Sequence, residues 1–367
     1  MVYIDNAATS RGKPISAAIA QAKATVFSAN AGRAGHKAGL KTALEIEKTR
    51  EIIRKNFFDG NVIFTKNCTE ALNLAILGSD LKGRVITTVF DHNSVLRTLK
   101  RLEIDGKIKL VIISPDENGF VEPLKRALTK DTSMVAITAR SNVNGIATDI
   151  EKLAAVVKRY SSAKFLMDAA QSAGHDVFDY ENVDMLASSG HKGLLGPQGT
   201  GFLLCKYDEK IKPLITGGTG TSGNKLEIPT EIPEGLEAGT LNAAGIIALG
   251  KGTEYAFERR ERINARVKRL CKVLKDGISG IENVTVYPSD GGIVLCNVDG
   301  LDSEETAGEL SEKYGICVRG GIHCAPLMHG YLGTEKRGAV RFSFGNNNTI
   351  ADALKAVRAM KKIARNS

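Results

Sequence analysis

The chain alternates short apolar runs with longer stretches of helical period. Runs of strand length are "VIFT" (62–65), "RVITTV" (84–89), "KLVIIS" (109–114), "MVAITA" (134–139), "KFLMDA" (164–169), "DMLASS" (184–189) and "GTGFLLC" (199–205). Between them lie helix-like stretches such as "TEALNLAIL" (69–77), "NSVLRTLKRLEI" (93–104) and "DIEKLAAVVKRY" (149–160). Seven mainly uninterrupted apolar strands with helices between them predict an α/β sheet covered on both faces. Ligands on such sheets bind beyond the carboxyl ends of the strands. The polar exceptions fall there: Thr65, Asp91, Asn142, Asp168 and Lys192.

Past "LEAGTLNAAG" the pattern changes. A single long helix is expected over roughly 242–278, charged and amphipathic in its later part. "VTVYP", "GIVLCNV", a helix near 303–314, "ICVRGG", "AVRFSFG" and a terminal helix from about Ile350 then predict a smaller α+β domain.

Composition narrows the function classes. A length of 367 residues suits two unequal domains, and 43% hydrophobic with 25% charged residues is ordinary for a soluble enzyme. Trp is absent and aromatics are 5%, so stacking platforms for nucleic acid are not expected. Part of the +9 net charge gathers at Arg259, Arg260, Arg262, Arg266, Lys268 and Arg269, which reads as a solvated helix face. The six cysteines form no CxxC pair, so neither a zinc site nor a disulfide framework is expected, and a reducing cytoplasm fits best. "MVYIDNAATS" has no signal-peptide pattern, and no apolar run approaches the roughly 20 residues of a membrane span.

The chemistry gathers around "SSGHKGLLGPQGTG". Lys192 sits between His191 and a glycine-rich turn, where small residues allow close approach of a ligand to the backbone. A lysine amine there could form a Schiff base if burial and a cationic neighbour lower its pKa. A pyridoxal phosphate site would further need an acid for the pyridine nitrogen, a phosphate cradle and a flat side chain against the ring. Asp168, in "FLMDAAQSAGH", follows an apolar strand and is such an acid, or else a helix cap. "FTKNCTEALNLA" is the cradle candidate, with Thr69 at the start of a helix, where an ordinary cap would also stand. His92 in "FDHNSVLRTL" is the candidate for the ring face.

The segments "YIDNAATS", "NCTEALNLA", "DHNSV", "SNVNG", "MDAAQSAGH", "SSGHKGLLGPQGTGFL", "EAGTLN", "RGGIHCAPLMHGYLG" and "VRFSFGNNNT" come in an order and spacing that resembles a class V aminotransferase-like protein. Most closely the chain resembles a cysteine desulfurase of the second group, which includes selenocysteine lyase-like enzymes. The resemblance runs from about residue 3 to 350.

It implies a fold-type I pyridoxal phosphate transferase, with a large domain over 15–250 and a small domain built from 1–14 and 251–367. It implies that Lys192 carries the cofactor, Asp168 pairs with its pyridinium nitrogen, Gln171 bonds the ring oxygen and His92 stacks on the ring. Cys68, Thr69, Ser189 and His191 would line the phosphate, with Thr240 reaching in from the partner subunit of a homodimer. Asn142 would lie near the ring oxygen and the substrate, Arg341 would clamp the substrate carboxylate, and Asn6 and Ala7 would border the substrate. Cys324 would be the nucleophile that takes sulfur as a persulfide, with His323 and Arg319 as local helpers, Arg319 also toward substrate. "RAGH", with Arg33 and His36, resembles a segment that reaches the neighbouring site of such dimers.

The activity so implied converts L-cysteine to L-alanine and passes sulfur to a thiol or protein acceptor, the sulfur metabolism that includes iron–sulfur cluster assembly. Selenocysteine lyase activity, or another class V transaminase or Cβ lyase, are the rival activities; no metal is expected.

Overall fold

The computed structural model describes residues 1–33, 35–220 and 226–366. A short strand β1 (Val2–Tyr3) leads into two helices, α1 (Ile15–Phe27) and α2 (Lys37–Asn56). The alternation anticipated from the apolar runs follows: β2 (Asn61–Thr65), α3 (Cys68–Gly78), β3 (Gly83–Thr88), α4 (Asn93–Ile104), β4 (Ile108–Ile113), α5 (Val121–Ala127), β5 (Thr132–Thr138), α6 (Ile150–Tyr160), β6 (Lys164–Asp168), β7 (Met185–Ser189) and β8 (Gly201–Cys205). The remainder is α7 (Ala243–Glu258), α8 (Arg260–Ile278), β9 (Val284–Tyr287), β10 (Ile293–Val298), α9 (Ser303–Tyr314), β11 (Ile316–Cys317), α10 (Pro326–Tyr331), β12 (Val340–Ser343) and α11 (Ile350–Asn366).

The main sheet has seven strands in the order β2-β8-β7-β6-β5-β3-β4. Strands β7, β6, β5, β3 and β4 run parallel, and β8 is antiparallel to both β7 and β2. Every residue of β7 and β8 is buried, which is why these strands are continuous apolar runs rather than alternating ones. Register places Thr65, Ser189, Asp168, Thr138 and Thr88 along one edge of this sheet. There Asp91 is fully buried and accepts the Thr88 and Thr138 main-chain N–H groups at 2.9 and 2.7 Å, so this acid fastens two strand ends.

A second core surrounds the three-stranded antiparallel sheet β12-β10-β9, where Ile4, Leu270, Leu274, Val294, Phe342 and Met360 pack together. The N-terminal segment joins it: β1 pairs with β11, and Asp5 bridges to Ser343 at the end of β12. The single helix expected over 242–278 is two helices, separated at Arg259. Leu249 of α7 packs in the core that holds main-sheet residues such as Leu186 and Phe202, whereas Ala256 near the end of α7 and Ile263 of α8 lie in the second core, so the chain passes from one to the other close to the break.

The segment bearing Thr240 is tied down by a buried ion pair. Arg50 of α2 and Glu237 meet at 2.6 and 3.0 Å, with side chains 6% and 5% exposed. Glu237 also accepts the Phe64 main-chain N–H, and the Arg50 guanidinium lies over the Phe64 ring. Removing one member of such a pair strands a buried charge, whereas replacing both by apolar groups need not. Arg50 also pairs with Glu47 at 3.3 Å, whereas Glu237 has Arg50 as its cation, so Arg50→Met is expected to lose about 3–5 kcal/mol of unfolding free energy in urea denaturation, and Arg50→Met/Glu237→Leu to regain most of it.

Candidate active site

Lys192 lies just past the carboxyl end of β7, in the turn that leads to β8. Burial pushes its ammonium pKa down, and the Arg341 and Arg319 charges push the same way; Cys68 and Asp168 oppose them. The shift favours the neutral, nucleophilic amine. Asp168 ends β6 and is 3% exposed; its Oδ1 accepts the Ala170 N–H at 2.9 Å and the Cys68 thiol at 3.5 Å. Burial, then the Asp168 charge, raises the Cys68 thiol well above the ordinary range, so Cys68 is a neutral donor here.

His92 caps α4. Its Nδ1 accepts the Ser94 N–H at 3.0 Å, so the proton of the neutral ring sits on Nε2. Burial lowers its pKa and keeps it neutral. Ser94 Oγ lies 2.7 Å from Thr69 Oγ1, which joins the starts of α3 and α4. Asn67 caps α3 and accepts the Glu70 N–H, leaving Thr69 exposed beside the helix start. A Cβ on Gly201 would come within 2.6 Å of the Asn67 main chain, so only glycine lets β8 pass this close under the turn. The Ser189 Oγ and His191 Nδ1 atoms are buried without a partner. Burial, then Lys192 and Lys13, lowers the His191 pKa to about 4.

Arg341 is 1% exposed. Its guanidinium donates to the Asn142 carbonyl at 2.5 Å and to Asp5 Oδ1 at 3.0 Å, while its Nε–H is buried without a partner. The sequence reading missed Asp5 as its counter-ion, although Asp5 stands inside "YIDNAATS". Any carboxylate brought to Arg341 would have to share the fork with Asp5 or displace it. The Asn142 side chain donates to the His323 carbonyl instead of pointing free. Cys324 is half-buried in the left-handed region, φ 60°, and Arg319 donates to its Sγ at 3.6 Å.

Asn6, Ala7, Gln171, Lys192 and Ser343 share the wall of a cavity of about 50 Å³. Gln171 Nε2 donates to the Ala7 carbonyl at 3.0 Å, fixing the N-terminal segment beside Lys192. Thr240 is exposed and lines grooves in which Lys192 has no part. Of "RAGH", Ala34 and the Arg33 side chain lie outside the described residues, and His36 caps α2 by accepting the Gly39 N–H. Among the described residues no group of His, Cys, Asp and Glu could hold a metal ion, and no helix is long and apolar enough to cross a membrane.

A lysine with a lowered pKa, a buried acid and a flat neutral histidine at the carboxyl edge of a parallel sheet define a site for an electrophilic carbonyl cofactor. The aminotransferase class-V family matches residues 2–355, and the chain belongs to that family, whose members use pyridoxal phosphate. Within it, the chain is 32% identical to a probable cysteine desulfurase of Methanothermobacter thermautotrophicus, over 99% of this chain and 94% of that protein. It is 33% identical to a probable cysteine desulfurase of Pyrococcus abyssi, over 96% and 91%. Its structure matches the apo cysteine desulfurase of Thermococcus onnurineus with a TM-score of 0.91 at 30% identity, covering 100% of this chain and 95% of the other.

The residues present fit the cofactor. Buried, unpartnered Ser189 Oγ and His191 Nδ1 and the start of α3 would receive its phosphate, and Asp168 its pyridinium nitrogen.

The geometry of the Arg341 fork yields a test. Lysine offers a point charge where Arg341 offers a fork, and cannot hold Asp5, the Asn142 carbonyl and a carboxylate together. Arg341→Lys is expected to lower kcat/KM for L-cysteine by about 10- to 150-fold, mainly through KM, in steady-state assays.

Proposed function

We propose that this chain is a cysteine desulfurase of the second group, which converts L-cysteine to L-alanine and leaves the sulfur on Cys324. The observation that carries the reading is the link through Asn142. Its carbonyl holds Arg341, its side chain holds the Cys324 loop, and Arg319 meets the Cys324 sulfur. A carboxylate clamp and a thiol are thereby fixed relative to one another, beside Lys192.

Arg341 binds and orients the substrate carboxylate. Bound pyridoxal phosphate supplies an electron sink for the pair released when Cα loses its proton. The Lys192 amine, whose pKa burial lowers, removes that proton. The Cys324 thiolate attacks the substrate sulfur. The Cβ–S bond breaks, its electron pair stays with carbon and is protonated, and Cys324 becomes a persulfide. An acceptor thiol then takes the outer sulfur. Four other cysteines are poorly suited to this step. Burial raises Cys68 well above the ordinary range and Cys205, Cys271 and Cys296 to about 12.

The reading includes a homodimer that completes the phosphate site with Thr240. In support, α1 leaves Ile15, Val26 and Phe27 at 76%, 70% and 81% exposure, and α2 leaves Leu40 and Leu44 exposed as well. It includes a large domain over 15–250 and a small one of 1–14 and 251–367; in support, Ile4, Leu270, Val294, Phe342 and Met360 of the second core all come from the latter segments. A reducing, cytoplasmic compartment is consistent with the free state of all six cysteines.

Two measurements check the chemistry. Borohydride treatment of the yellow holoenzyme is expected to abolish its visible band and leave the label on Lys192 by peptide mapping; a label on another lysine contradicts the assignment. Cys324→Ala is expected to keep the spectral response to L-cysteine while losing sulfide and alanine formation. If the variant still makes both at the normal rate, Cys324 is not the sulfur acceptor; sulfide released with pyruvate and ammonia in place of alanine would make the activity that of a Cβ lyase. Retained turnover of L-selenocysteine alone would assign Cys324 to sulfur chemistry only.

A further inference from the structure

We propose that His329 is a positioning residue for Cys324: it accepts the main-chain N–H that precedes the cysteine and so holds the thiol in the conformation used for sulfur attack. The inference rests on the reading of Cys324 as the nucleophile.

A non-glycine residue at φ 60° is held there only when its surroundings fix it. Three main-chain groups around Cys324 are anchored. The Cys324 carbonyl accepts the Asn93 N–H at the start of α4, at 2.8 Å. The His323 carbonyl accepts the Asn142 side chain. The His323 N–H donates to His329 Nε2 at 3.2 Å. Asn142 and the start of α4 belong to the site already described. His329 does not; it stands on α10 and is fully buried, as is His323 at 1% exposure.

The hydrogen-bond chemistry fixes the His329 tautomer. A ring nitrogen that accepts an N–H carries a lone pair, so the His329 proton is on Nδ1. That position lies 2.8 Å from Thr334 Oγ1, which receives it. The Thr334 hydroxyl in turn donates to the His329 carbonyl at 3.4 Å, and the Thr334 N–H donates to the same carbonyl at 2.8 Å. Thr334 is itself fully buried, so the arrangement is closed to water. The His323 ring stacks on the His329 ring, centroids 5.1 Å apart, and its Nδ1 also faces Nε2 at 3.1 Å. Burial and the Arg341 charge lower the His329 pKa to about 4, so the accepting lone pair persists at neutral pH. "LMHGYLGT" thus places an acceptor of fixed tautomer under a strained nucleophile.

The test compares holoenzyme variants that remain folded by thermal melting. His329→Leu keeps bulk but strands the His323 N–H, and is expected to lower kcat for L-cysteine about tenfold or more with KM within about twofold. His329→Gln supplies an oxygen near the Nε2 position and is expected to recover kcat to within about threefold of the parent. If His329→Leu does not fold, Thr334→Val takes its place. It removes the partner of Nδ1–H, frees the ring to change tautomer, and is expected to lower kcat with KM unchanged. A kcat near the parent value in His329→Leu or Thr334→Val, a change confined to KM, or a glutamine variant as impaired as leucine would each overturn the proposal. Cys324→Ala is assayed alongside: sulfide release by that variant overturns the reading of Cys324 itself, whereas its loss beside an unaffected His329→Leu overturns only the role of His329.

Discussion

A buried guanidinium sets the geometry on which the rest of the site depends. Arg341 is carried by β12 of the small sheet, yet its charge sits where the large sheet ends, almost fully removed from water. A charge so placed is tolerated only when paired and hydrogen-bonded. The partners come from two separate parts of the chain: Asp5 from the N-terminal segment and the Asn142 carbonyl from beyond β5. The small sheet, the N-terminus and the large sheet are thereby held in one arrangement. Asn142 then extends the arrangement to the Cys324 loop.

The same burial divides the labour among groups of one chemical type. Burial lowers the pKa of Lys192 despite the opposing Asp168 charge, whereas Lys158 pairs with Asp184 at 2.6 Å in a structural contact. Buried Cys68 donates to Asp168, while half-buried Cys324 meets a guanidinium. Asp168 faces the lysine, and Asp91, equally buried nearby, is spent on main-chain N–H groups. Residue type alone does not assign such roles; the environment of each group does.

Much of this was legible in the sequence. All seven apolar runs are strands of one sheet; inner strands such as β7 and β8 are apolar because both of their faces are covered. Asp168 and Lys192 stand at strand ends for the same reason that they broke the apolar pattern. The break at Arg259 was not legible, since α7 and α8 each continue a helical period up to it. Helices α1 and α2 escaped notice because their apolar residues are spread around the helix, and several face outward. Asp5 was inside a quoted motif, but its pairing with Arg341 spans almost the whole chain and has no local signature. His329 and Thr334 were hidden likewise: their polar atoms satisfy each other inside the core, and nothing in "LMHGYLGT" announces a tautomer.

The central claim is that the sulfur of the substrate comes to rest on Cys324. Its most direct test is mass spectrometry of the holoenzyme after a single turnover with L-cysteine, without reductant. The account predicts that the peptide bearing Cys324 gains the mass of one sulfur atom, in proportion to the alanine formed. Alanine formed with the added sulfur on another cysteine, or on none, would contradict it.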